Sequence, residues 1–165
     1  MRRILRDVDQ ETGVVFLETH RTNGKLHRDP AEGPAYVQRD EVCVHERYYW
    51  KGRLHREDGP AAIATDLKTG VRISEFYYRH GFTHREPAEG PALIIRKPAN
   101  GTVLTEDYSL FNMTFRDPIT GPCHIERDNR GRITEELFST AEEVVTMRRR
   151  LNRRPRILKH KPPSP

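Results

Sequence analysis

Three histidines are each followed by an arginine and a carboxylate, residue types that could support acid–base chemistry. The triplets are His27-Arg28-Asp29, His55-Arg56-Glu57 and His84-Arg85-Glu86. A histidine beside an acid and an arginine can act as general base, orienting group and electrophile, so a hydrolase with a His, Glu and Arg groove is one interpretation. A fourth copy, Phe115-Arg116-Asp117, replaces histidine by phenylalanine. Because catalysis needs its group once per site, a repeated and exchangeable ring favours a packing role and a protein that is not an enzyme.

The same spacing disfavours a metal site. Successive histidines of the triplets are 28 and 29 residues apart, without the short intervals typical of zinc ligands. Cys43 and Cys123 are too few and too far apart to form a disulfide framework. We therefore expect no metal, no cofactor and two buried, reduced cysteines. With no membrane-spanning apolar run and no signal-like N-terminus, this predicts a cytoplasmic chain.

The triplets belong to an internal repeat. A Gly-Pro pair follows each triplet, at Gly33, Gly59, Gly90 and Gly121, with spacings of 26, 31 and 31 residues. Periods of this size indicate supersecondary repeat units. The strand after each Gly-Pro carries Ala or Cys and, two residues later, Val or Ile, a pairing typical of a buried and closely approached sheet face. Cys123 is interpreted as a replacement for alanine.

A second strand in each unit carries glutamate followed two residues later by a ring. Turn signals such as the glycines at 24, 52 and 81 connect it back to the triplet. The predicted fold class is mainly β: an elongated antiparallel meander of about four β-hairpin repeats (18–45, 46–74, 75–105 and 106–138) in a domain of residues 1–138. The segment 139–153 has the capping residues and apolar spacing of a helix that covers one end, and 154–165 is expected to be a disordered basic, proline-rich tail.

Two sets of charged residues recur at fixed positions and are interpreted as a structural ladder. We expect arginines and glutamates to form partly buried ion pairs that fix the register between repeats, while the three triplet histidines fill space as rings. The arginines are Arg28, Arg56, Arg85 and Arg116, the glutamates are Glu18, Glu46, Glu75, Glu106 and Glu136, and the rings are His27, His55 and His84.

The repeat resembles a known family. Residues 48–61 read YYWKGRLHREDGPA and residues 77–92 read YYRHGFTHREPAEGPA. These units resemble MORN-variant hairpin repeats and, more closely, HRxDGPA repeats of bacterial, phage and giant-virus proteins, over roughly residues 18–138. The resemblance implies an elongated β scaffold used for binding. Some MORN-variant families act as antitoxins, so it also implies an inhibitor or immunity role.

Binding specificity should lie in positions that differ among the repeats. Trp50 occupies a turn position where the other copies have Thr22, Arg79 and Leu110, so it is the first candidate for an aromatic anchor on a protein partner. Closing the end of the core is the alternative role for Trp50. The predicted protein-binding residues are Tyr49, Trp50, Tyr78 and Phe82.

The positive charge is confined to one end of the chain. The net charge is +5, but residues 148–165 hold eight of the 29 basic residues and none of the 24 acidic ones, which leaves 1–147 with a net charge of −3. The alternative function is therefore DNA or RNA binding through this segment by phosphate contacts. An anionic membrane or a transport receptor are other possible partners. The residues concerned are Arg148, Arg149, Arg150, Arg153, Arg154, Arg156, Lys159 and Lys161.

Overall fold

A computed structural model describes residues 1–153 as one long antiparallel sheet, a row of small hairpins and a C-terminal helix. The predicted mainly β meander with one terminal helix is confirmed. No described helix is long and apolar enough to span a membrane. The elements are β1 Arg2–Val8, β2 Val15–Thr22, β3 Lys25–Leu26, β4 Tyr36–Arg39, β5 Cys43–Arg47, β6 Tyr49–Trp50, β7 Arg53–Leu54, β8 Ala62–Asp66, β9 Arg72–Phe76, β10 Tyr78–Arg79, β11 Phe82–Thr83, β12 Leu93–Arg96, β13 Val103–Asp107, β14 Ser109–Leu110, β15 Met113–Thr114, β16 His124–Arg127, β17 Ile133–Leu137 and α1 Ala141–Arg153.

One cross-strand row of residues runs through the main sheet from end to end, although four strand pairs shift register near one end of their ladder. Its strands follow in the order β1-β2-β4-β5-β8-β9-β12-β13-β16-β17, each antiparallel to its neighbours. Directly paired residues of such a sheet point to the same face. One continuous row therefore alternates acidic and aliphatic side chains after its first member: Arg6, Glu18, Val37, Glu46, Ile63, Glu75, Ile94, Glu106, Ile125 and Glu136.

A second row on the same face is lined by very small residues. Ala35, Ala61 and Ala92 are fully buried, and Cys123 takes the equivalent place with 6% exposure. The interpretation of Cys123 as an alanine replacement is thus confirmed, and both cysteines are buried and free. Small side chains are needed here because chain segments from the hairpins approach the sheet closely. Tyr78, for example, packs on the cluster of Tyr48, Ala61 and Ile63.

The small hairpins, here called the hairpin row, form this covering layer at residues 21–26, 49–54, 78–83 and 109–114. Each has a two-residue turn with positive φ at both positions, including His80 (φ 52°) and Phe111 (φ 53°). Such turns match the twist of the flanking strands. Backbone bonds join successive hairpins, since the amides of Gly52, Gly81 and Asn112 donate to carbonyls of the preceding one.

Two features of this fold differ from the sequence prediction. Residues 2–8 belong to the predicted β domain but have no predicted strand, yet they form β1, the first strand of the sheet. Their order RRILRDV shows no simple alternation of polar and apolar residues, because β1 is an edge strand that is exposed on both faces. The second strand of each unit is also predicted to lead directly into the turn. This holds for β2, which runs through to Thr22, but β5, β9 and β13 stop before a tyrosine and the chain restarts in the separate hairpin strands β6, β10 and β14.

Helix α1 caps the end of the hairpin row. Thr140 and Glu143 form a reciprocal capping box, with Thr140 Oγ1 accepting from the Glu143 amide at 3.3 Å and Glu143 Oε2 accepting from the Thr140 amide at 2.7 Å. Met147, which is 1% exposed, packs against Leu110 and Phe115. The predicted cap is present, but it covers the hairpin row and leaves β17 exposed along its whole length.

Ser139 completes this cap by supplying the hydrogen-bond acceptor that the next hairpin supplies in the other repeats. In three repeats, the amide of the triplet arginine donates to a backbone carbonyl of the following hairpin, as Arg85 does to Ser109 at 3.1 Å. No hairpin follows the last triplet in the described chain, and the Arg116 amide donates instead to Ser139 Oγ at 3.2 Å. A buried hydroxyl therefore satisfies a donor that would otherwise lack a partner.

Because Met147 fills the end of the hairpin row, Met147→Ala should lower the free energy of unfolding by about 3 kcal/mol. The cause is lost apolar burial together with the cavity left between Leu110 and Phe115. Urea unfolding followed by circular dichroism measures the change. Val145→Ala is the matched control on the same helix, since Val145 is 46% exposed, and should change stability by less than about 0.5 kcal/mol. Equal effects of the two substitutions would contradict the capping role.

Candidate functional site

The triplet arginines pack on tyrosine rings within their own repeats. The Cζ atoms of Arg56, Arg85 and Arg116 lie 4.0, 3.9 and 4.1 Å from the ring centroids of Tyr48, Tyr77 and Tyr108. A guanidinium over an aromatic face at this distance is a cation–π contact. In the first repeat the ring is His20 instead, and Arg28 Nη1 lies 3.1 Å from His20 Nε2.

The Gly-Pro pair forms the other side of each arginine site. Arg85 Nη1 donates to the Pro91 carbonyl at 3.0 Å, and equivalent bonds reach Pro34, Pro60 and Pro122. A Cβ atom at Gly90 or Gly121 would lie 3.0 or 2.9 Å from the arginine Nη1, and both glycines have positive φ. We call this unit of ring, arginine and Gly-Pro the arginine clamp. Because the arginine contacts both the ring and the Gly-Pro pair, the arginine clamp explains why an aromatic residue, an arginine and a Gly-Pro pair recur together in the repeats.

The prediction that the triplet arginines form ion pairs with the strand glutamates is wrong for three repeats. Only Arg28 lies near such a glutamate, with Nη1 3.8 Å from Glu18 Oε1. In the described chain the glutamates pair instead with arginines of adjacent strands: Glu18 with Arg6, Glu75 with Arg96 and Glu106 with Arg127, each at 2.6 Å. Glu46 faces Ile63 in the row and Glu136 lies on the exposed β17. Three of the five glutamates are thus ion-paired across strands, with partners other than those predicted.

The triplet histidines stack between successive repeats. His55 stacks on His80 at 4.1 Å between ring centroids, and His84 stacks on Phe111 at the same distance. His27 meets Trp50 edge-on at 4.4 Å. His55 and His84 are buried, as is Phe115, which contacts Met147 at the end of the series. Each histidine thus fills the space under the next turn, which fits the expected role as a packing ring.

A groove opens between the first two triplets along the hairpin row. It has a volume of about 520 Å³ and is lined by Asp29, Pro30, Ala31, Trp50, His55, Arg56, Glu57, Asp58 and His80. We call it the Trp50 groove. Its volume lies within the usual range of ligand-binding clefts. Trp50 is half-buried there, and its ring is held on one side by His27.

The rim of the Trp50 groove is acidic. Asp29, Glu57 and Asp58 are exposed, whereas the guanidinium of Arg56 is held over Tyr48. Lys51 places an amine beside the aromatic wall, with Nζ 5.9 Å from the Trp50 ring centroid. The acidic rim could not be predicted from the sequence, because Asp29 and Asp58 belong to different repeats. They line one groove only because the two repeats stack.

The other predicted protein-binding residues occupy different environments. Tyr49 and Tyr78 are half-buried, and Tyr78 contributes to the core cluster beneath the hairpin row. Phe82 is 42% exposed on β11, one repeat beyond the Trp50 groove. Of the four, only Trp50 lines this groove.

Part of the predicted nucleic-acid-binding segment lies on α1. Arg148, Arg149 and Arg150 are exposed near the end of this helix, and Arg148 Nη2 lies 3.9 Å from Asp117. The helix ends at Arg153. Arg154, Arg156, Lys159 and Lys161 lie outside the described residues, as does the predicted disordered tail.

A short acid–histidine contact that the sequence did not predict lies on the open face of the main sheet. His124 Nδ1 lies 2.5 Å from Asp107 Oδ1, across β16 and β13. The hydrogen bond with Asp107 raises the pKa of His124 above its ordinary value of 6.5, with smaller contributions from the charges of Asp107 and nearby glutamates. A one-residue cross-strand pair has no local sequence signal, because its partners are 17 residues apart.

Two sets of side chains in residues 1–153 bring possible metal-ligand atoms within 4.8 Å of one another. One comprises Asp40, Cys43 and His45, and the other His124, Glu126 and Glu135. In the first set, Asp40 Oδ1 already accepts the amides of Val42 and Cys43 at 2.8 and 2.7 Å, which closes the turn before β5. Burial is the main cause that raises the pKa of the Cys43 thiol, followed by the charges of Asp40 and Asp66. A raised pKa keeps the Cys43 thiol protonated, and since the thiolate is the reactive form, Cys43 is a poor nucleophile.

The His124–Asp107 contact predicts a specific pH dependence. Because its pKa is raised in the folded protein, His124 adds stability that is complete below the ordinary histidine pKa and is lost as pH rises through the raised value. Asp107→Asn should lower the titration midpoint of His124 measured by NMR. The stability difference between wild type and Asp107→Asn should also be largest in acid and shrink above that midpoint. A midpoint unchanged by Asp107→Asn would contradict the assignment.

Comparisons with protein-family models, with curated proteins and with solved structures found no match to this chain. The resemblance to MORN-type repeats therefore stays a prediction that depends on the residues quoted for it.

Proposed function

We propose that the protein is a non-catalytic binding module that holds another protein on its hairpin row, with Trp50 as the anchor. The observation that carries this proposal is a half-buried tryptophan in an open groove of about 520 Å³ with an acidic rim. Tryptophan is enriched among the residues that dominate binding energy at protein interfaces. The ring is already held by the 4.4 Å contact with His27, which reduces the ordering cost of binding.

The contrast between the repeats supports the same assignment. Arginine clamps and stacked rings recur along the chain and are occupied by internal contacts. Trp50 is the only tryptophan in the chain, so only one of the four hairpins carries one. A residue required by the frame would be expected in every copy, whereas a residue that contacts a partner can be unique.

The charge of the Trp50 groove indicates the chemistry of its partner. Three exposed carboxylates, those of Asp29, Glu57 and Asp58, surround the aromatic wall. Complementary charge favours a segment that presents a lysine or arginine together with an apolar side chain. The acidic rim repels a phosphate backbone, so the Trp50 groove itself does not suit nucleic acid. An inhibitor or immunity role toward a bacterial, phage or mobile-element protein is the proposal that the family resemblance adds.

Peptides selected from a displayed random library on the full chain test this proposal. We expect the selected peptides to be rich in lysine or arginine beside apolar residues and to shift the fluorescence of Trp50. Trp50→Ala should weaken their binding about 30-fold, in line with loss of an interface hot spot. Phe82→Ala is the control, since Phe82 is exposed on the same row but lies outside this groove. Selected peptides that bind Trp50→Ala as tightly as wild type would refute the proposal.

A second candidate function is supported by the end of α1, where Arg148, Arg149 and Arg150 are exposed together. Three such charges can contact phosphates without reading sequence. Replacing all three with glutamine in the full chain should weaken binding of labelled duplex DNA or RNA, measured by fluorescence anisotropy. The slope of log affinity against log salt should fall by roughly 2 to 3. Arg130→Gln is an exposed control. Absence of salt-sensitive binding by the wild-type chain would exclude this function.

A further inference from the structure

The main sheet has an open edge at each end of its strand order. Within residues 1–153, β1 pairs only with β2, and β17 pairs only with β16. Both strands are exposed almost throughout. An edge strand offers unpaired backbone donors and acceptors, so an exposed edge is a template for another strand. Helix α1 covers the hairpin row and does not protect β17.

The strand order makes the two edges suitable for each other. Ten strands alternate in direction along the path from β1 to β17, so the first and last run in opposite directions. A second copy placed with its β1 beside β17 would therefore continue the antiparallel order. It would also keep the same face of the sheet on the same side, so that the two hairpin rows lie in line.

Extending the existing register across this junction matches the exposed apolar residues of the two edges. Leu5 and Leu137 belong to one cross-strand row, and they are 44% and 49% exposed. Leu137 would lie directly opposite Leu5 of the second copy. Phe138 directly follows the last residue of β17 and would lie opposite Ile4; these side chains are 52% and 47% exposed. The junction would bury four large apolar groups that the single chain leaves in water.

The same register places opposite charges together. Glu136 would lie opposite Arg6 of the second copy, in the row where Arg6 already pairs with Glu18 at 2.6 Å. More generally, β1 carries Arg2, Arg3 and Arg6, whereas β17 carries Glu135 and Glu136. Pairing two copies of the same edge would bring like charges together, which disfavours symmetric dimers. The one unfavourable match is Asp7 opposite Glu135, which points to the open face.

We propose that a second copy of this chain docks head to tail, with its β1 paired to β17 to form a continuous sheet. The contact is heterologous, because each copy uses a different edge. Repetition of such a contact produces an open chain unless the rotation closes a ring. The proposal does not depend on the Trp50 groove, and the substitutions that test it leave that groove unchanged.

Charge reversal with complementation tests this junction in the chain of residues 1–165. Glu136→Arg would place two arginines opposite each other, and Arg6→Glu would place two glutamates opposite each other. Each variant alone should need at least about tenfold higher concentration to associate, as measured by sedimentation velocity at low salt. An equimolar mixture should associate like wild type, because both junctions between the two variants pair arginine with glutamate.

Two further samples complete the test. Glu41→Arg makes the same charge change in an exposed turn away from both edges and should associate like wild type. Urea unfolding of Arg6→Glu identifies loss of folding at β1, in which case Glu136→Arg alone still tests the junction. Wild-type protein that remains monomeric at every concentration would overturn the proposal. Association unaffected by Glu136→Arg, or a mixture of two folded variants that fails to associate, would overturn it as well.

Discussion

The structure depends on an arginine held between an aromatic ring and the backbone of a Gly-Pro pair. Arg85 illustrates the contact, with its guanidinium 3.9 Å from the Tyr77 ring and its Nη1 bonded to the Pro91 carbonyl at 3.0 Å. The arginine amide also donates to Ser109 of the next repeat, so the same residue joins the sheet, its link and the neighbouring hairpin. A thin sheet with alanines at its most buried positions has little apolar volume of its own. Planar stacking and directed hydrogen bonds therefore carry much of the specificity that a large core would otherwise provide.

This way of building separates the frame of the molecule from the surface that is free to bind. Clamp residues and stacked rings are occupied in repeat after repeat, so they are poor candidates for catalysis or recognition. Residues that occur once are not constrained in this way. Trp50 is such a residue, and it lies where two repeats meet and where carboxylates from both are exposed. The two ends of the sheet are the other places where the repetition stops. Helix α1 and Ser139 close the hairpin row at one end, whereas the sheet edges stay open.

Much of the frame could be predicted from the sequence, because repetition makes equivalent positions visible. The alignment on Gly-Pro identified the buried alanine row and the place of Cys123 in it, while capping residues and apolar spacing identified the terminal helix. The partner of each arginine could not be predicted from charge alone. Arginine can form an ion pair through its charge or stack on a ring through its planar face, and in three repeats it stacks on a tyrosine. The strand β1 and the pair of Asp107 and His124 were missed for a different reason: an edge strand needs no alternation, and a single cross-strand contact leaves no periodic signal.

A double-mutant cycle on Arg85 and Tyr77 tests most directly whether the arginine clamp stabilises the fold. Arg85→Ala, Tyr77→Leu and the double variant would be compared with wild type by urea unfolding. We expect Arg85→Ala alone to cost about 2 kcal/mol, since it loses both the ring contact and the bond to Pro91. We also expect a coupling energy of about 1 kcal/mol between the two substitutions. Additive effects, with a coupling energy within about 0.3 kcal/mol of zero, would contradict the account. The stabilising role of the arginine side chain would then belong to its hydrogen bond with the Pro91 carbonyl alone.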